Sequence, residues 1–133
     1  MPTALPAEAP SVELIRYHGL GNDYLVLARG PAVDAALVRA ICDRHTGVGS
    51  DGLLVPAPAG ACDHGVRIWN PDGSIAEKSG NALRIYARWL SAERGAGRTF
   101  SVWTGTDRVT CEVDGDDVAV EMAQRARVRA AGF

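Results

Sequence analysis

The spacing of hydrophobic and polar positions predicts one long helix in the second half of the chain. Its apolar side chains recur at the i, i+3, i+4, i+7 spacing of a single helical face: Leu83, Tyr86, Ala87 and Leu90. Ile85 and Trp89 add apolar surface on another side. We therefore predict a helix over residues 82–93 that its neighbours enclose on most of its circumference.

Shorter apolar stretches predict strands around this helix. Residues 24–28 form a continuous apolar run, which is typical of a fully buried strand, and residues 12–17 alternate in part between apolar and polar side chains. Further strands are predicted at residues 53–55, 66–69, 99–104, 108–113 and 117–122. A short amphipathic helix is predicted at residues 33–43. The pattern as a whole predicts an α+β domain in which short strands wrap one largely buried helix.

Composition and charge fit one ordinary globular domain. The chain has 133 residues, of which 47% are hydrophobic and 23% charged, and its formal net charge is −2. This balance predicts a packed core and argues against nucleic acid or an anionic membrane as partner. No apolar run approaches the roughly 18 residues of a membrane span, and residues 1–10 do not resemble a secretory signal. We predict a domain at residues 12–122 between a flexible tail (1–11) and a linker-like tail (123–133).

The cysteines argue against a metal site and a disulfide framework. There are three of them, Cys42, Cys62 and Cys111, and no C-x-x-C pair or histidine stands at ligand spacing from them. We expect buried, reduced cysteines that pack as small hydrophobic side chains, no bound metal, and a cytoplasmic location.

Three glycine-rich segments carry the candidate chemistry: HGLGNDY (18–24), DRHTGVGSDG (43–52) and WNPDGSIAEKSGNALR (69–84). Their glycines let the backbone approach a ligand closely, and their Asn, Asp and Ser side chains supply polar atoms. The third segment is the most informative, because Ser79, Gly80 and Asn81 stand where the predicted helix begins. Unpaired N–H groups and the helix dipole favour a negative group there, such as a substrate carboxylate.

The same residues also have purely structural interpretations. Serine is a preferred N-cap, so Ser79 by its position alone favours a capping role over catalysis. Asn22 and Asn70 stand in turn-like sequences, where asparagine commonly hydrogen-bonds its own backbone.

Taken together, the three segments resemble diaminopimelate epimerase in order, spacing and composition, from about residue 12 to residue 122. The resemblance implies a curled mixed or antiparallel sheet around a central helix, which is one half of that family's two-domain fold. It places the active site in the cleft between the two domains. It also implies epimerisation of an amino acid without pyridoxal phosphate or another cofactor, as in lysine biosynthesis.

The resemblance also implies roles for individual residues. In the family, one cysteine from each domain lies at a helix N-terminus, one removing the α-proton as thiolate and the other returning a proton from the opposite face. Ser79 takes the place of the first of these cysteines. Asn22, Asn70 and Asn81 would hold the amino acid, and Gly80 would offer its backbone N–H to the carboxylate. Such donors stabilise the carbanion that forms when the α-proton leaves.

Two departures from the family pattern shape the prediction. A serine hydroxyl is far less acidic than a thiol and normally needs a neighbouring base, and the sequence places neither His18 nor His45 beside Ser79. The family's second cysteine and its Glu-Arg pair belong to a second domain, and Cys111, in a predicted hairpin strand, is no substitute.

The leading hypothesis is therefore a half-subunit of an amino-acid epimerase or racemase, completed by a separate chain that carries the C-terminal half. We expect a heterodimer with that chain, or failing that a homodimer. Two alternatives stay open: a non-catalytic module that binds an amino acid or a partner, and a one-base lyase. Lys78 is the chain's only lysine and so its only possible Schiff-base amine, but no pattern around it indicates a cofactor pocket.

Overall fold

A seven-stranded sheet runs through the chain with its strands in sequence order. The computed structural model describes residues 12–19, 21–76 and 79–122. The strands are β1 (Glu13–Gly19), β2 (Asn22–Arg29), β3 (Gly52–Pro56), β4 (His64–Trp69), β5 (Thr99–Trp103), β6 (Arg108–Asp114) and β7 (Asp117–Met122). The helices are α1 (Ala35–Cys42) and α2 (Gly80–Glu93). Every predicted helix and strand is confirmed, and no boundary moves by more than two residues.

The sheet is mixed because two of its connections are crossovers. β2 pairs with β3, and β4 with β5, in parallel, whereas the other neighbouring strands are antiparallel. Parallel neighbours need a long connection, usually a helix. α1 lies in the first of these connections and α2 in the second. The α+β class and the curled mixed sheet around a central helix are therefore confirmed.

α2 fills the inside of the curled sheet. Its buried residues are Ala82, Leu83, Ile85, Tyr86, Ala87, Trp89 and Leu90. The helix contacts β1 and β2 from one end of the strand order and β6 and β7 from the other. Each large apolar side chain buried in this way stabilises the fold by about 1.5–3 kcal/mol. Neither helix in the described residues is long and apolar enough to span a membrane.

α1 covers the outer face of the sheet and creates a second core. This core contains Leu25, Leu27, Val38, Ile41, Cys42 and Leu53. Along β2, Tyr24 and Val26 instead join the inner core around α2. β2 is thus buried on both faces, which explains the continuous apolar run at residues 24–28.

Strand directions bring three loops to one end of the sheet. β2 and β3 are parallel and both begin there, while β4 is antiparallel to β3 and ends there. The register places Tyr24 opposite Gly52, and Leu53 opposite Trp69. The β1–β2 turn, the loop before β3 and the turn after β4 are therefore neighbours, and all three belong to the glycine-rich segments.

The cysteines follow the prediction in part. All three are free, and Cys42 and Cys111 are buried, but Cys62 is only half-buried because it lies in the surface loop before β4. Burial raises the pKa of the Cys111 thiol to about 11, so this thiol stays protonated at neutral pH. In the ranges that the structure describes, no group of three or more His, Cys, Asp or Glu side chains is arranged to hold a metal ion. The predicted tails and Lys78 lie outside the described residues.

Gly65 provides a test of the packing around β4. A Cβ atom at Gly65 would lie 2.2 Å from the carbonyl oxygen of Pro58 and 2.4 Å from that of Ala57, and these backbone atoms would have to move. We expect Gly65→Ala to lower the free energy of unfolding by about 1–3 kcal/mol in chemical denaturation. Gly80→Ala is the matched control, because the nearest atom there is Arg84 Nη1, at 3.4 Å on a flexible side chain. Equal stability of the two variants would contradict the close approach at Gly65.

Candidate functional site

Ser79 is the N-cap of α2. Its backbone is extended, with φ −149° and ψ 116°, and its Oγ accepts a hydrogen bond from the N–H of Ala82 at 3.1 Å. Its carbonyl oxygen accepts from the N–H of Leu83 at 2.9 Å. The capping interpretation of Ser79 is therefore confirmed. Capping uses one lone pair of the hydroxyl, so the proton and a second lone pair remain for other contacts.

The first turn of α2 presents two further backbone donors. Among the described residues, none accepts a hydrogen bond from the backbone N–H of Gly80 or Asn81, whereas the N–H groups of Ala82 and Leu83 both donate to Ser79. The first turn also holds no acidic side chain that would compensate the helix dipole. Such an N-terminus is suited to bind a carboxylate.

Asn22 and Asn81 tie this helix terminus to the β1–β2 turn. The amide Nδ2 of Asn81 donates to Oδ1 of Asn22 at 2.5 Å, and both side chains are half-buried. Asn22 is the first residue of β2, paired with Gly19 across the turn. The structure therefore brings Asn22, Ser79 and Asn81 together, although they lie far apart in the sequence.

A network of charged side chains fixes the loop before β3 against the β1–β2 turn. Arg16 pairs with Asp23 at 2.6 Å, and Arg44 pairs with Asp51 at 2.9 Å and with Asp23 at 3.4 Å. The carboxylate of Asp51 also accepts from the backbone N–H of Asp23 at 2.8 Å. That hydrogen bond, more than contacts with Arg44 and Asn22, holds the pKa of Asp51 below its usual range. The segment 43–52 therefore supports the site through its charged side chains.

Asn70 lies at the same end of the sheet but is held within its own turn. Its Nδ2 donates to Ser74 Oγ at 3.0 Å, and its backbone N–H donates to the carbonyl oxygen of Ser74 at 2.8 Å. The register of β3 and β4 places Asn70 directly after Trp69, beside the start of β3. Among the residues that the structure describes, no hydrogen bond joins Asn70 to Asn22, Ser79 or Asn81. Its role towards a substrate stays a prediction.

The two histidines near these segments differ in position. His18 lines a cavity of about 230 Å³ together with Asn81 and Arg84, between β1, α2 and the β6–β7 turn. His45 is exposed in the loop after α1, where its backbone N–H donates to Asp43 Oδ1 at 2.7 Å. Of the two, only His18 lies beside the start of α2.

Tyr24 is the residue that the sequence pattern missed. Its hydroxyl oxygen lies 3.4 Å from Ser79 Oγ, although the two residues are 55 positions apart. The sequence marked it only as the first residue of a buried apolar run. Its position at the end of the HGLGNDY segment was the signal that could have separated it from the core.

The chain is similar to known enzymes over most of its length. A model of the family described as diaminopimelate epimerase matches residues 14–128. A diaminopimelate epimerase of Desulforudis audaxviator (strain MP104C) is 38% identical over 129 residues, covering 90% of this chain and 46% of that protein. Diaminopimelate epimerase 2 of Nostoc sp. (strain PCC 7120 / SAG 25.82 / UTEX 2576) is 45% identical over 84 residues, covering 59% of this chain and 29% of that protein. The chain spans less than half the length of these relatives.

Solved structures share the fold at low sequence identity. A putative phenazine biosynthesis PhzC/PhzF protein of Clostridium difficile (strain 630) superposes with a TM-score of 0.59 at 13% identity, covering 79% of this chain and 41% of that chain. A phenazine biosynthesis protein of the PhzF family from Bacillus anthracis superposes with a TM-score of 0.53 at 16% identity, covering 85% and 39%. At these identities the likeness concerns the fold alone.

Asp51 makes the stability of the domain depend measurably on pH. Its folded-state pKa lies below the unfolded value of 3.8, so the stability it contributes is present above that pH and lost as the pH falls through the folded pKa. We expect Asp51→Asn to destabilise the chain at neutral pH and the difference from wild type to vanish in strong acid. Arg44→Gln should keep most of this pH dependence, because the Asp23 N–H is the larger cause. Chemical denaturation of wild type and of both variants, recorded between about pH 2 and pH 7, tests these expectations.

Proposed function

Because the chain belongs to the diaminopimelate epimerase family, we propose that the described domain forms one wall of a cofactor-independent amino-acid epimerase or racemase site. One observation carries the proposal. The hydroxyl of Ser79 stands at the N-terminus of α2, next to backbone N–H groups that no described residue accepts from and to the hydrogen-bonded pair Asn22 and Asn81. This arrangement offers a proton-transferring group beside donors suited to a carboxylate.

The proposed chemistry begins with the substrate carboxylate at the start of α2. The N–H groups of Gly80 and Asn81 bind it, and the helix dipole stabilises the negative charge that spreads onto it when the α-proton leaves. The α C–H bond breaks on one face as a base takes the proton, and a new C–H bond forms on the other face as an acid gives one. Ser79 serves one face. Asn22, Asn70 and Asn81 orient the amino acid.

A second domain is needed for the opposite face. We place there the family's second cysteine and its Glu-Arg pair, carried by a separate chain that corresponds to the C-terminal half, in a cytoplasmic heterodimer. The relatives are more than twice as long as the part of them that this chain matches, so they have room for such a second domain. Diaminopimelate is the first substrate to test, because the relatives at 38% and 45% identity are named for it.

Ser79 itself favours one competing function. Its hydroxyl is an N-cap of the helix, and in the resemblance a serine stands where the family has a more acidic thiol. Both features would suit a non-catalytic module that binds an amino acid without converting it. A one-base lyase is the other alternative, in which proton removal leads to elimination. Binding without exchange of the α-proton would identify the module, and an eliminated product would identify the lyase.

Variants of Ser79 separate catalysis from capping. In the complex with the C-terminal-half chain, we expect Ser79→Ala to abolish deuterium incorporation at the α-carbon in heavy water and to cost about 1 kcal/mol of stability as a lost N-cap. Ser79→Cys should keep or raise the exchange, because a thiol at a helix N-terminus ionises nearer neutral pH. Asp34→Ala is the matched control, since Asp34 caps α1 by accepting from the Leu37 N–H at 2.9 Å. It should cost similar stability and leave exchange intact. Exchange that survives Ser79→Ala would exclude Ser79 as an acid or base.

The association itself can be measured separately. We expect the tagged chain, purified from its native cells under mild conditions, to bring down a second polypeptide of C-terminal-half sequence in equal amount, or otherwise to form a homodimer. Light scattering coupled to gel filtration gives the mass of the complex, and mass spectrometry identifies the partner. A lone monomer without a second polypeptide would contradict the heterodimer.

A further inference from the structure

The hydroxyl of Tyr24 lies at the start of α2. Tyr24 is on the face of β2 that packs against this helix, is 9% exposed, and belongs to the inner core. A buried tyrosine hydroxyl usually finds a hydrogen-bond partner. Among the described residues, the partner in reach is Ser79, whose Oγ lies 3.4 Å away.

Gly52 provides the space in which the Tyr24 ring lies. The two residues are directly opposite each other on the parallel strands β2 and β3. A Cβ atom at Gly52 would lie 2.8 Å from Cε1 of the Tyr24 ring and 2.8 Å from the carbonyl oxygen of Trp69. Because residue 52 has no side chain, the Tyr24 ring can lie against β3 at this position, with its hydroxyl near Ser79.

The direction of donation follows from the lone pairs of Ser79. A neutral serine oxygen has one proton and two lone pairs, and the N–H of Ala82 occupies one lone pair. Once Ser79 has lost its proton it can only accept, so Tyr24 must be the donor. The separation of 3.4 Å is longer than the roughly 2.5–3.0 Å of a formed O–H···O hydrogen bond. Catalytic hydrogen bonds commonly shorten when substrate is bound.

We propose that Tyr24 is a positioning residue for Ser79, and that its hydroxyl donates the hydrogen bond that stabilises the Ser79 alkoxide. This inference rests on the proposed function. When Ser79 gives its proton to the substrate carbanion, its O–H bond breaks, a C–H bond forms at the α-carbon, and the negative charge moves from carbon to Oγ. Tyr24 and the N–H of Ala82 then donate to that charge. Because a phenol is more acidic than a serine hydroxyl, the Tyr24 proton moves towards Oγ and the phenolic oxygen takes up part of the negative charge. In the reverse direction the alkoxide takes the α-proton.

A serine needs this second donor more than a cysteine does. The hydroxyl is far less acidic than a thiol, so its anion requires more stabilisation to form. A hydrogen bond to the charged form favours ionisation. A thiol at a helix N-terminus already ionises near neutral pH, so its reactivity depends less on the added hydrogen bond from the tyrosine.

Tyr24→Phe tests the assignment in the complex with the C-terminal-half chain. The variant keeps the ring and removes the hydroxyl. We expect the rate of α-proton exchange to fall about 10- to 100-fold, as for the loss of a hydrogen bond to a charged group. The fall should appear in kcat with KM almost unchanged, and the pH at which exchange rises should move upward. In the Ser79→Cys background, the same substitution should change the rate only slightly.

Tyr86→Phe is the matched control within the core. The Tyr86 hydroxyl is buried and donates to the carbonyl oxygen of Gly65 at 2.8 Å. Its removal should lower the melting temperature and leave the exchange rate and its pH profile unchanged. A purely structural role of Tyr24 would give the same result as this control.

A spectroscopic measurement tests the contact without any enzyme activity. The chain has three tyrosines, so the full chain labelled with ¹³C at the tyrosine Cζ atoms gives few signals to assign. Ser79→Ala should shift the Tyr24 signal, and Asp34→Ala, at the cap of the other helix, should not. An unmoved Tyr24 signal in Ser79→Ala would overturn the contact.

The outcomes distinguish this inference from the proposed function. A wild-type complex without α-proton exchange overturns the proposed function and this role of Tyr24 with it. Wild-type exchange that Tyr24→Phe leaves unchanged overturns only the role of Tyr24. The role of Tyr24 is also overturned if Tyr24→Phe lowers the exchange rate equally in the wild-type and Ser79→Cys backgrounds, because the tyrosine would then not act through the serine alkoxide.

Discussion

The burial of α2 inside the curled sheet is the constraint on which the rest of the structure depends. The helix supplies the inner core with its largest fully buried side chains, Trp89 and Tyr86. Because strands contact it from both sides, its axis and both its ends are fixed relative to the loops of the sheet. Its N-terminus is further held by the Ser79 cap and by the hydrogen bond from Asn81 to Asn22. The position of the candidate site is therefore a consequence of core packing.

The three glycine-rich segments contribute different groups to that end of the molecule. The segment at the start of α2 provides the hydroxyl and the backbone donors. The β1–β2 turn contributes Asn22, which contacts the helix terminus directly. The loop before β3 contributes charge: Asp51 and Arg44 hold the turn in place through Asp23. Because rigid support limits the motion of groups that must meet a substrate, such indirect contacts are as much part of a site as direct ones.

In the proposed mechanism a hydroxyl takes the place of the family's thiol, and this changes what the surroundings must supply. A thiolate forms readily at a helix N-terminus, whereas an alkoxide needs additional donors at short range. The Ala82 N–H and the Tyr24 hydroxyl both face Ser79 Oγ. The ring of Tyr24 reaches that position because residue 52 has no side chain. In the proposal, the acidity of Ser79 is in this way linked to the packing of β2 against β3.

The sequence alone determined the helices, the strands and the family, because apolar spacing is a local property and three motifs in order are specific. It also identified Ser79, Gly80 and Asn81, since they are adjacent to each other and to a helix start. Only the tertiary structure decided which distant residues join them. Asn22 and Tyr24 contact α2 because the sheet curls around it, and the amide of Asn70 donates to Ser74 within its own turn. Such contacts depend on strand register and on close packing between segments, and neither has a signature in local residue spacing.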